Sequence, residues 1–329
     1  MSKLSRGVLG ISPQETSFAR RGFRCDSDAV RERLETVGRS FVAGYHCALE
    51  APDAEALAAR IGAAVARDFQ GFANEGAAMG LAVLDALTPW RRGRLQRFLA
   101  GPGDAHVYIV HVGAGWALAR LPISVARLLG SLHPVFRWLA LDGYGFHQGF
   151  FHAPEAIGRQ RVPSRLKGYA RRVFDQGIGR SLWFVEGTDP GRIAADIAAF
   201  PAQRRADLWS GVGLASAYAG GVERSALETL RTAAGSHRPA LAQGAAFAAK
   251  ARLRAGILIP ETELACAVLC GGATAAEAAA VTDEAMPAVA APVAAAPEGL
   301  PHFELWRLGI QQRFLDQQTG DPRPAVARL

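Results

Sequence analysis

An all-α fold is predicted for this chain of 329 residues by a recurring glycine, by helix-capping residues between its copies and by the near-absence of strand-like alternation. Helical segments align on one glycine at seven places, with spacings of 30 to 37 residues, and four copies carry a second glycine two residues later. A period of about 33 residues is typical of stacked helical hairpins, because one hairpin cannot bury its apolar face alone. The aligned glycines are Gly44, Gly76, Gly113, Gly143, Gly177, Gly211 and Gly244, and the second glycines are Gly115, Gly145, Gly179 and Gly213.

Capping residues and prolines divide the repeat into pairs of helices, as where Asp189 precedes Pro190. We therefore expect a helical-repeat domain over residues 28–272, an α-solenoid of about seven two-helix units of about 33 residues. One unit resembles a tetratricopeptide repeat through Trp209, Gly213, Tyr218, Ala226, Leu230 and Pro239. The predicted helices are 53–66 with 68–87, 89–100 with 104–120, 123–130 with 134–151, a long helix over 164–186, 189–199 with 201–219, and 222–235 with 238–255.

The two ends of the chain depart from the repeat. Residues 1–27 form a basic N-terminal segment, and residues 273–300 read as a short helix followed by an alanine and proline linker. Residues 301–329 carry an amphipathic helix and a tail. Since Phe303, Trp306, Ile310 and Phe314 share one side of that helix, we expect it to dock on the repeat domain or on a partner.

The repeated glycines argue for close helix packing. Glycine inside a helix costs about 1 kcal/mol relative to alanine, so its recurrence at matched positions predicts that a neighbouring backbone approaches closely there. The stretch DGYGFHQGFFH, residues 142–152, contains one copy of this glycine pattern. A phosphate-binding loop would need a strand before its glycines, and the flanking residues here suit a continuous helix.

Composition gives little support to nucleic-acid binding. The net charge is +7, but only 3 of the 37 basic residues are lysine, which is typical of a coding bias toward arginine. Two basic clusters remain as solvated helix faces or as docking sites for a partner, and no nucleic-acid partner is predicted. They are Arg91, Arg92, Arg94 and Arg97, and Arg165, Lys167, Arg171 and Arg172.

A cytoplasmic location is expected. The four cysteines are few and scattered, which fits a reducing compartment. No stretch resembles an export signal, and the least charged windows are too short to span a bilayer.

A stripe of apolar residues recurs one or two turns after the aligned glycines. Such a stripe can line the concave surface of a solenoid and form a groove for an elongated apolar ligand or peptide. The alternative is that these side chains fill the space between helix layers. The predicted groove residues are Met79, Trp116, Phe146, Phe150, Trp183, Phe184, Tyr218 and Phe247.

No complete catalytic arrangement can be read from the residues, and no metal site or cofactor is predicted. The two histidine pairs, His106 with His111 and His147 with His152, are each five residues apart, which turns their rings about 140° from each other on a helix. Any acid, base or metal-binding groups would have to come from several helices. The candidates are Glu75, His111, Asp142, His147, Arg180 and Glu186.

Six long and distinctive strings of the sequence are RGVLGISPQETSFARRGF, FANEGAAMGLAVLDALTPWRRGRLQRFLAGPG, HVYIVHVGAGWALARLP, LDGYGFHQGFFH, RRVFDQGIGRSLWFVEG and RRADLWSGVGLASAYAGG. Through these strings the chain resembles the UnbL-like proteins of enediyne antibiotic gene clusters, a family otherwise described as domain-of-unknown-function family 1702. The resemblance implies a role beside the iterative enediyne polyketide synthase, with UnbV-like and UnbU-like proteins, the latter in a membrane. It carries over no catalytic residues.

Three functions are open at this point. The first is binding or escort of the linear polyene that the synthase releases, on its way to the enediyne core. The second is an enzyme that acts on that polyene through the acidic and histidine candidates. The third is a scaffold for the synthase and its associated membrane proteins.

Overall fold

The computed structural model describes residues 7, 9–88, 90, 92–286 and 299–319, and over these residues it contains sixteen α-helices and no strand. The all-α prediction is therefore confirmed. Most of the predicted linker and the tail beyond residue 319 lie outside the described residues. The helices are α1 (Phe18–Arg21), α2 (Asp28–Glu50), α3 (Ala54–Ala64), α4 (Gln70–Leu87), α5 (Arg94–Leu99), α6 (Val107–Arg120), α7 (Val125–Gly130), α8 (Leu139–Phe151), α9 (Tyr169–Val185), α10 (Pro190–Ala199), α11 (Ala202–Ala219), α12 (Arg224–Ala234), α13 (Arg238–Arg254), α14 (Pro260–Leu269), α15 (Ala275–Ala285) and α16 (His302–Thr319).

The aligned glycines lie on the longer helices, which pack side by side in chain order as α2, α4, α6, α8, α9, α11 and α13. A Cβ atom added to any of the seven glycines would come within 1.8 to 2.0 Å of a carbonyl oxygen of the neighbouring helix. The second glycines make the same contact with the helix on the other side, at 1.6 to 2.0 Å. The predicted close approach of backbones is confirmed, since no other residue fits without moving the helices apart.

This row of helices curves until distant members touch. The ring of Tyr218 on α11 lies 5.0 Å from the ring of Phe72 on α4. Near the end of α13, Arg252 donates to the carbonyl oxygen of Asp68 at 3.2 Å, and Arg254 binds the carboxylate of Asp104 at 2.9 Å. The inner face of the row therefore encloses a space.

The outer helices are shorter and less regular than the sequence predicts. They contain between 6 and 11 residues, and α8 is followed by a π-helical turn, Pro154–Gly158, where a second helix of a pair would stand. The helix predicted over 164–186 begins only at Tyr169, because Gly168 has a φ of 55°, outside the right-handed helical region. Over the described residues, the prediction of seven equal two-helix units is therefore not confirmed.

The C-terminal helix α16 docks on the end of the row, as its apolar side predicts. Phe303, Trp306, Ile310 and Phe314 are all at most 2% exposed. The indole nitrogen of Trp306 donates to the carbonyl oxygen of Thr282 at 2.8 Å. Burying a large apolar side chain stabilises a fold by about 1.5–3 kcal/mol, so this contact is a substantial part of the core. None of the helices in the described part of the chain has the length and apolar character needed to cross a membrane.

Candidate functional site

A cavity of about 520 Å³ lies on the inner face of the helix row. Side chains from six helices, α2, α4, α6, α8, α9 and α11, form its walls, and the N-terminal segment Gly10–Arg21 closes part of one side. Cavities of roughly 300–1,000 Å³ are typical of small-molecule sites.

Aromatic rings from all six helices contribute to the wall. Trp116 is central, with its ring 4.1 Å from that of Phe41 and 5.4 Å from that of Phe146. Phe146 in turn meets the edge of Phe184 at 5.3 Å and stacks with Phe150 at 5.7 Å. Rings at these separations attract one another beyond simple burial, so the wall is a preformed aromatic surface.

An ion cluster forms the polar part of the cavity floor, and we call Glu75, Asp142 and Arg180 the cavity cluster. The guanidinium of Arg180 binds the carboxylate of Asp142 and lies 3.5 Å from that of Glu75. Glu75 also accepts a hydrogen bond from the indole of Trp116 at 3.1 Å. Two carboxylates thus share one arginine. Burial raises the pKa of Glu75 above its ordinary value, against the lowering effect of Arg180.

A hydrogen-bonded column runs from this cluster through the interior. Gln176 donates to Asp142 at 2.7 Å, and Ser210 lies 3.2 Å from the amide oxygen of Gln176 and 2.9 Å from that of Gln243. Each of these residues directly precedes an aligned glycine. Because the glycine contacts fix the register of neighbouring helices along their axes, the polar residues before the glycines come within hydrogen-bonding distance of one another.

The column ends at a second ion cluster beneath α16, which we call the sealed cluster. Arg307 lies 3.4 Å from Gln243 and binds Asp207 at 2.7 Å and Glu304 at 3.1 Å. Arg172 closes the cluster from the outside with bonds of 3.0 Å to Asp207 and 2.6 Å to Glu304. Two arginines here balance two carboxylates.

The mouth of the cavity carries polar side chains from α6, α8 and the N-terminal segment. Arg120 and His152 are exposed there, and Arg21 lies with its guanidinium 5.2 Å from the ring of Phe151. His147 is buried just inside, with its ring 5.4 Å from Trp116. Burial lowers the pKa of His147 to about 3, so its imidazole is neutral at physiological pH.

The N-terminal segment is fixed across the cavity by several bonds, a role that sequence reasoning missed. The hydroxyl of Tyr45 donates to the carbonyl oxygen of Leu9 at 2.9 Å, and the amide of Phe18 donates to Glu35 at 2.8 Å. Phe23 then meets the edge of Phe150 at 4.9 Å. Helix caps at Ser12 and Ser17 were the only local signal of structure in this segment.

Six of the eight predicted groove residues line the cavity, and two do not. Trp183 is fully buried beside it, where its indole donates to the carbonyl oxygen of Gly220 at 3.0 Å. Phe247 faces a separate space of about 30 Å³ on the side of α16, with its ring 4.5 Å from that of Trp306. The six that line the cavity are Met79, Trp116, Phe146, Phe150, Phe184 and Tyr218.

The predicted catalytic candidates separate in a similar way. Glu75, His147 and Arg180 line the cavity, and Asp142 lies directly behind Arg180. His111 is elsewhere, with its Nδ1 atom 2.7 Å from the carbonyl oxygen of Val107 and its pKa lowered to about 4 by burial. Among the described residues, no group of three acidic, histidine or cysteine side chains could hold a metal ion.

Glu186, the sixth candidate, also lies away from the cavity. It binds Arg24 at 2.7 Å and Arg192 at 3.4 Å. Burial, with the nearby charge of Glu186, raises the pKa of Asp196 to about 6. The ion pairs of Glu186 with Arg24 and Arg192 join the N-terminal segment to α10, and they compensate the charge of the buried Glu186 carboxylate.

The second basic cluster of the sequence is partly internal. Arg172 belongs to the sealed cluster, and Arg165 donates to the carbonyl oxygen of Leu118 with its guanidinium 4.6 Å from the ring of Tyr144. Arg171 and Lys167 are the members not engaged in this way. The cluster therefore offers less free charge than its spacing indicates.

Comparison with known proteins identifies the family of this chain but assigns no activity to it. No curated protein and no solved structure matches the chain. A family model described as "Protein of unknown function (DUF1702)" matches residues 1–314, which covers the cavity, the column and the first part of α16 up to Phe314. The chain belongs to this family.

Proposed function

We propose that the protein binds an elongated, apolar, conjugated small molecule in the central cavity. The observation that carries this proposal is a cavity of about 520 Å³ to which six helices each contribute aromatic rings. Aromatic walls bind flat unsaturated chains well, because both ring faces and conjugated bonds are apolar and polarisable. In this proposal the helix row is an irregular solenoid, curled until its concave face becomes the binding site.

A linear polyene of enediyne biosynthesis is the ligand that we favour. Its conjugated chain is long, apolar and reactive, so a protein that escorts it through an aqueous cytoplasm must shield it from water. The motif resemblance to the UnbL-like proteins supports this setting, and the resemblance rests on strings that contribute the cavity-lining residues Glu75, Trp116, Phe146 and Arg180.

Partners of the same pathway are part of the proposal. Trp90 is 77% exposed and Leu87 is 43% exposed, and two exposed arginines of the first basic cluster, Arg92 and Arg97, follow them along the chain. Exposed tryptophan and arginine side chains are typical of binding hot spots. We expect this surface to contact the polyketide synthase or its UnbV-like and UnbU-like companions, and Trp90→Ala should weaken their capture.

The cavity can be tested by tryptophan fluorescence. A conjugated hydrocarbon such as diphenylhexatriene absorbs where tryptophan emits, so its binding beside Trp116 should quench part of the protein emission. The variant Trp116→Phe should lose the share of the quenching that this indole carries, and Trp183, buried beside the cavity, should still be quenched. Trp90→Phe, which replaces an exposed indole outside the cavity, should show the larger part of the wild-type quenching. Absence of saturable quenching in the wild-type protein would refute the proposal.

An enzymatic role is the second candidate, and one observation favours it. Glu75 lines the cavity with a raised pKa, which suits a carboxyl group that gives or takes a proton. If it exchanges protons with a bound polyene, incubation in deuterium oxide should place deuterium in the recovered ligand. Glu75→Gln should abolish that incorporation, and wild-type protein that incorporates none would exclude this role.

A further inference from the structure

The mouth of the cavity is short of negative charge. Arg120 is exposed at the mouth and has no ion-pair or hydrogen-bond partner among the described residues. The one acidic side chain that lines the mouth, Glu15, already binds Arg20 at 2.9 Å and also Arg21. Three arginines, Arg20, Arg21 and Arg120, are therefore matched by one carboxylate, and the mouth carries excess positive charge.

Two buried nitrogen atoms at the same mouth lack partners within the described chain. They are the Nε of Arg21 and the Nδ1 of His147, and His147 is only 7% exposed. An unsatisfied buried polar group costs about 1–3 kcal/mol, so groups of this kind indicate a place where a ligand supplies the missing atom. The Nε of Arg21 can only donate, and neutral His147 donates when its proton is on Nδ1.

The floor of the cavity offers no comparable binding site for an anion. Arg180 is already bound by Asp142 and lies beside Glu75, so a further negative charge there would meet two carboxylates. The polar groups of the cavity are therefore divided between its ends, with hydrogen-bond acceptors at the floor, aromatic rings in the middle and donors at the mouth.

We propose that the cavity takes a conjugated long-chain carboxylic acid, with its chain against the aromatic wall and its carboxylate at the mouth between Arg120, Arg21 and His147. The inference rests on the proposed function and names the ligand class. A carboxylate brings one negative charge and two acceptor oxygens to this mouth, where the arginines outnumber the carboxylates. Oxygen acceptors of the carboxylate would meet the two unpartnered nitrogen atoms.

The test compares a conjugated tetraene fatty acid with its methyl ester by fluorescence titration. The acid should bind at least about fivefold more tightly than the ester, a factor that corresponds to the upper end of the free energy of an exposed ion pair. Arg120→Gln should remove about three- to fivefold of the acid's affinity and leave that of the ester unchanged. Arg127→Gln, which removes the same charge from an exposed arginine outside the cavity, is the matched control. Higher salt should weaken the acid alone.

The outcomes separate the two proposals. Equal binding of acid and ester, or an equal effect of the Arg120 and Arg127 variants, would overturn the carboxylate inference while leaving the cavity as a binding site. Failure of acid, ester and diphenylhexatriene to bind would overturn the proposed function itself. A preference for the acid that survives Arg120→Gln and is lost in His147→Phe would move the head group inward to His147 and contradict the role given to Arg120.

Discussion

The cavity cluster around Arg180 and the sealed cluster around Arg307 are both networks of arginine and carboxylate in the interior, yet only the first borders the cavity. The sealed cluster pairs two arginines with two carboxylates, and α16 covers it. The cavity cluster gives two carboxylates one arginine and leaves Glu75 facing the cavity with a raised pKa. A column of hydrogen bonds through Ser210 joins the two.

The difference separates a structural ion network from one that can serve a ligand. Buried ion pairs seldom stabilise a fold more than apolar residues of the same size would, but removing one partner is costly because the other is left uncompensated. An incompletely balanced cluster that lines a cavity is consequently a better functional candidate than a balanced one beneath a helix.

The largest expected effect is at the sealed cluster. Arg307→Met leaves Asp207 and Glu304 with Arg172 alone, and should lower the free energy of unfolding by about 3–5 kcal/mol in urea titrations. Arg313→Met on the same helix breaks only an exposed pair with Glu284 and should cost less than about 1 kcal/mol. Similar losses in the two variants would show that the sealed cluster is not a structural network.

A smaller loss is expected when the equivalent change is made at the cavity cluster. Arg180→Met should cost about 1–3 kcal/mol, because Glu75 lines the cavity, where water can reach its carboxylate, and Asp142 keeps its hydrogen bond from Gln176. Urea titration of this variant beside Arg307→Met measures the comparison directly. A larger loss for Arg180→Met would reverse the roles that we assign to the two clusters.

The glycine contact at the cavity cluster gives a further test of similar size. A Cβ atom at Gly177 would lie 2.0 Å from the carbonyl oxygen of Asp142, so Gly177→Ala must push α8 from α9. Overpacking of this kind costs about 1–3 kcal/mol, and thermal unfolding should report it. Gly62→Ala, where nothing lies within 4 Å of the added atom, should instead stabilise α3 by up to about 1 kcal/mol.

The pH dependence of stability gives the smallest effect. The pKa of Glu75 is raised in the folded protein, so its contribution to stability is present below its ordinary value of 4.5 and is lost as pH rises through the folded pKa. Wild-type stability should therefore fall more steeply than that of Glu75→Gln over this range. Other shifted groups, such as Asp196, are common to both proteins and cancel in the difference. Parallel curves in urea titrations at several pH values would contradict the assignment.

The helices and the column could largely be predicted from the sequence, whereas the cavity could not. The aligned glycines set the register, and Glu75, Asp142, Gln176, Ser210 and Gln243 each directly precede one of them. Their mutual hydrogen bonds follow from the backbone contact that glycine permits. The meeting of Tyr218 with Phe72 depends on the curvature summed over several helices, which no local pattern encodes.

The same reason explains which site residues were missed. Phe41 and Arg21 reach the cavity from α2 and the N-terminal segment, whose positions depend on the fold as a whole. Trp183 and Phe247 share the periodicity of the groove residues but point between layers, because a helix in a curved row buries more than one face. Periodicity identifies buried faces, and the curvature of the row decides which face becomes the cavity.

The central claim, that this cavity is the binding site, is tested most directly by filling it. Ala215 lines the cavity from α11, and Ala215→Phe should occupy part of its volume, whereas Ala233→Phe places the same ring on an exposed face of α12. Equilibrium titration with a conjugated polyene should give one site per chain in the wild-type protein and in Ala233→Phe. Binding should be at least about tenfold weaker in Ala215→Phe, a change of about 1.4 kcal/mol, with the unfolding midpoint preserved. Undiminished binding by folded Ala215→Phe would contradict the account.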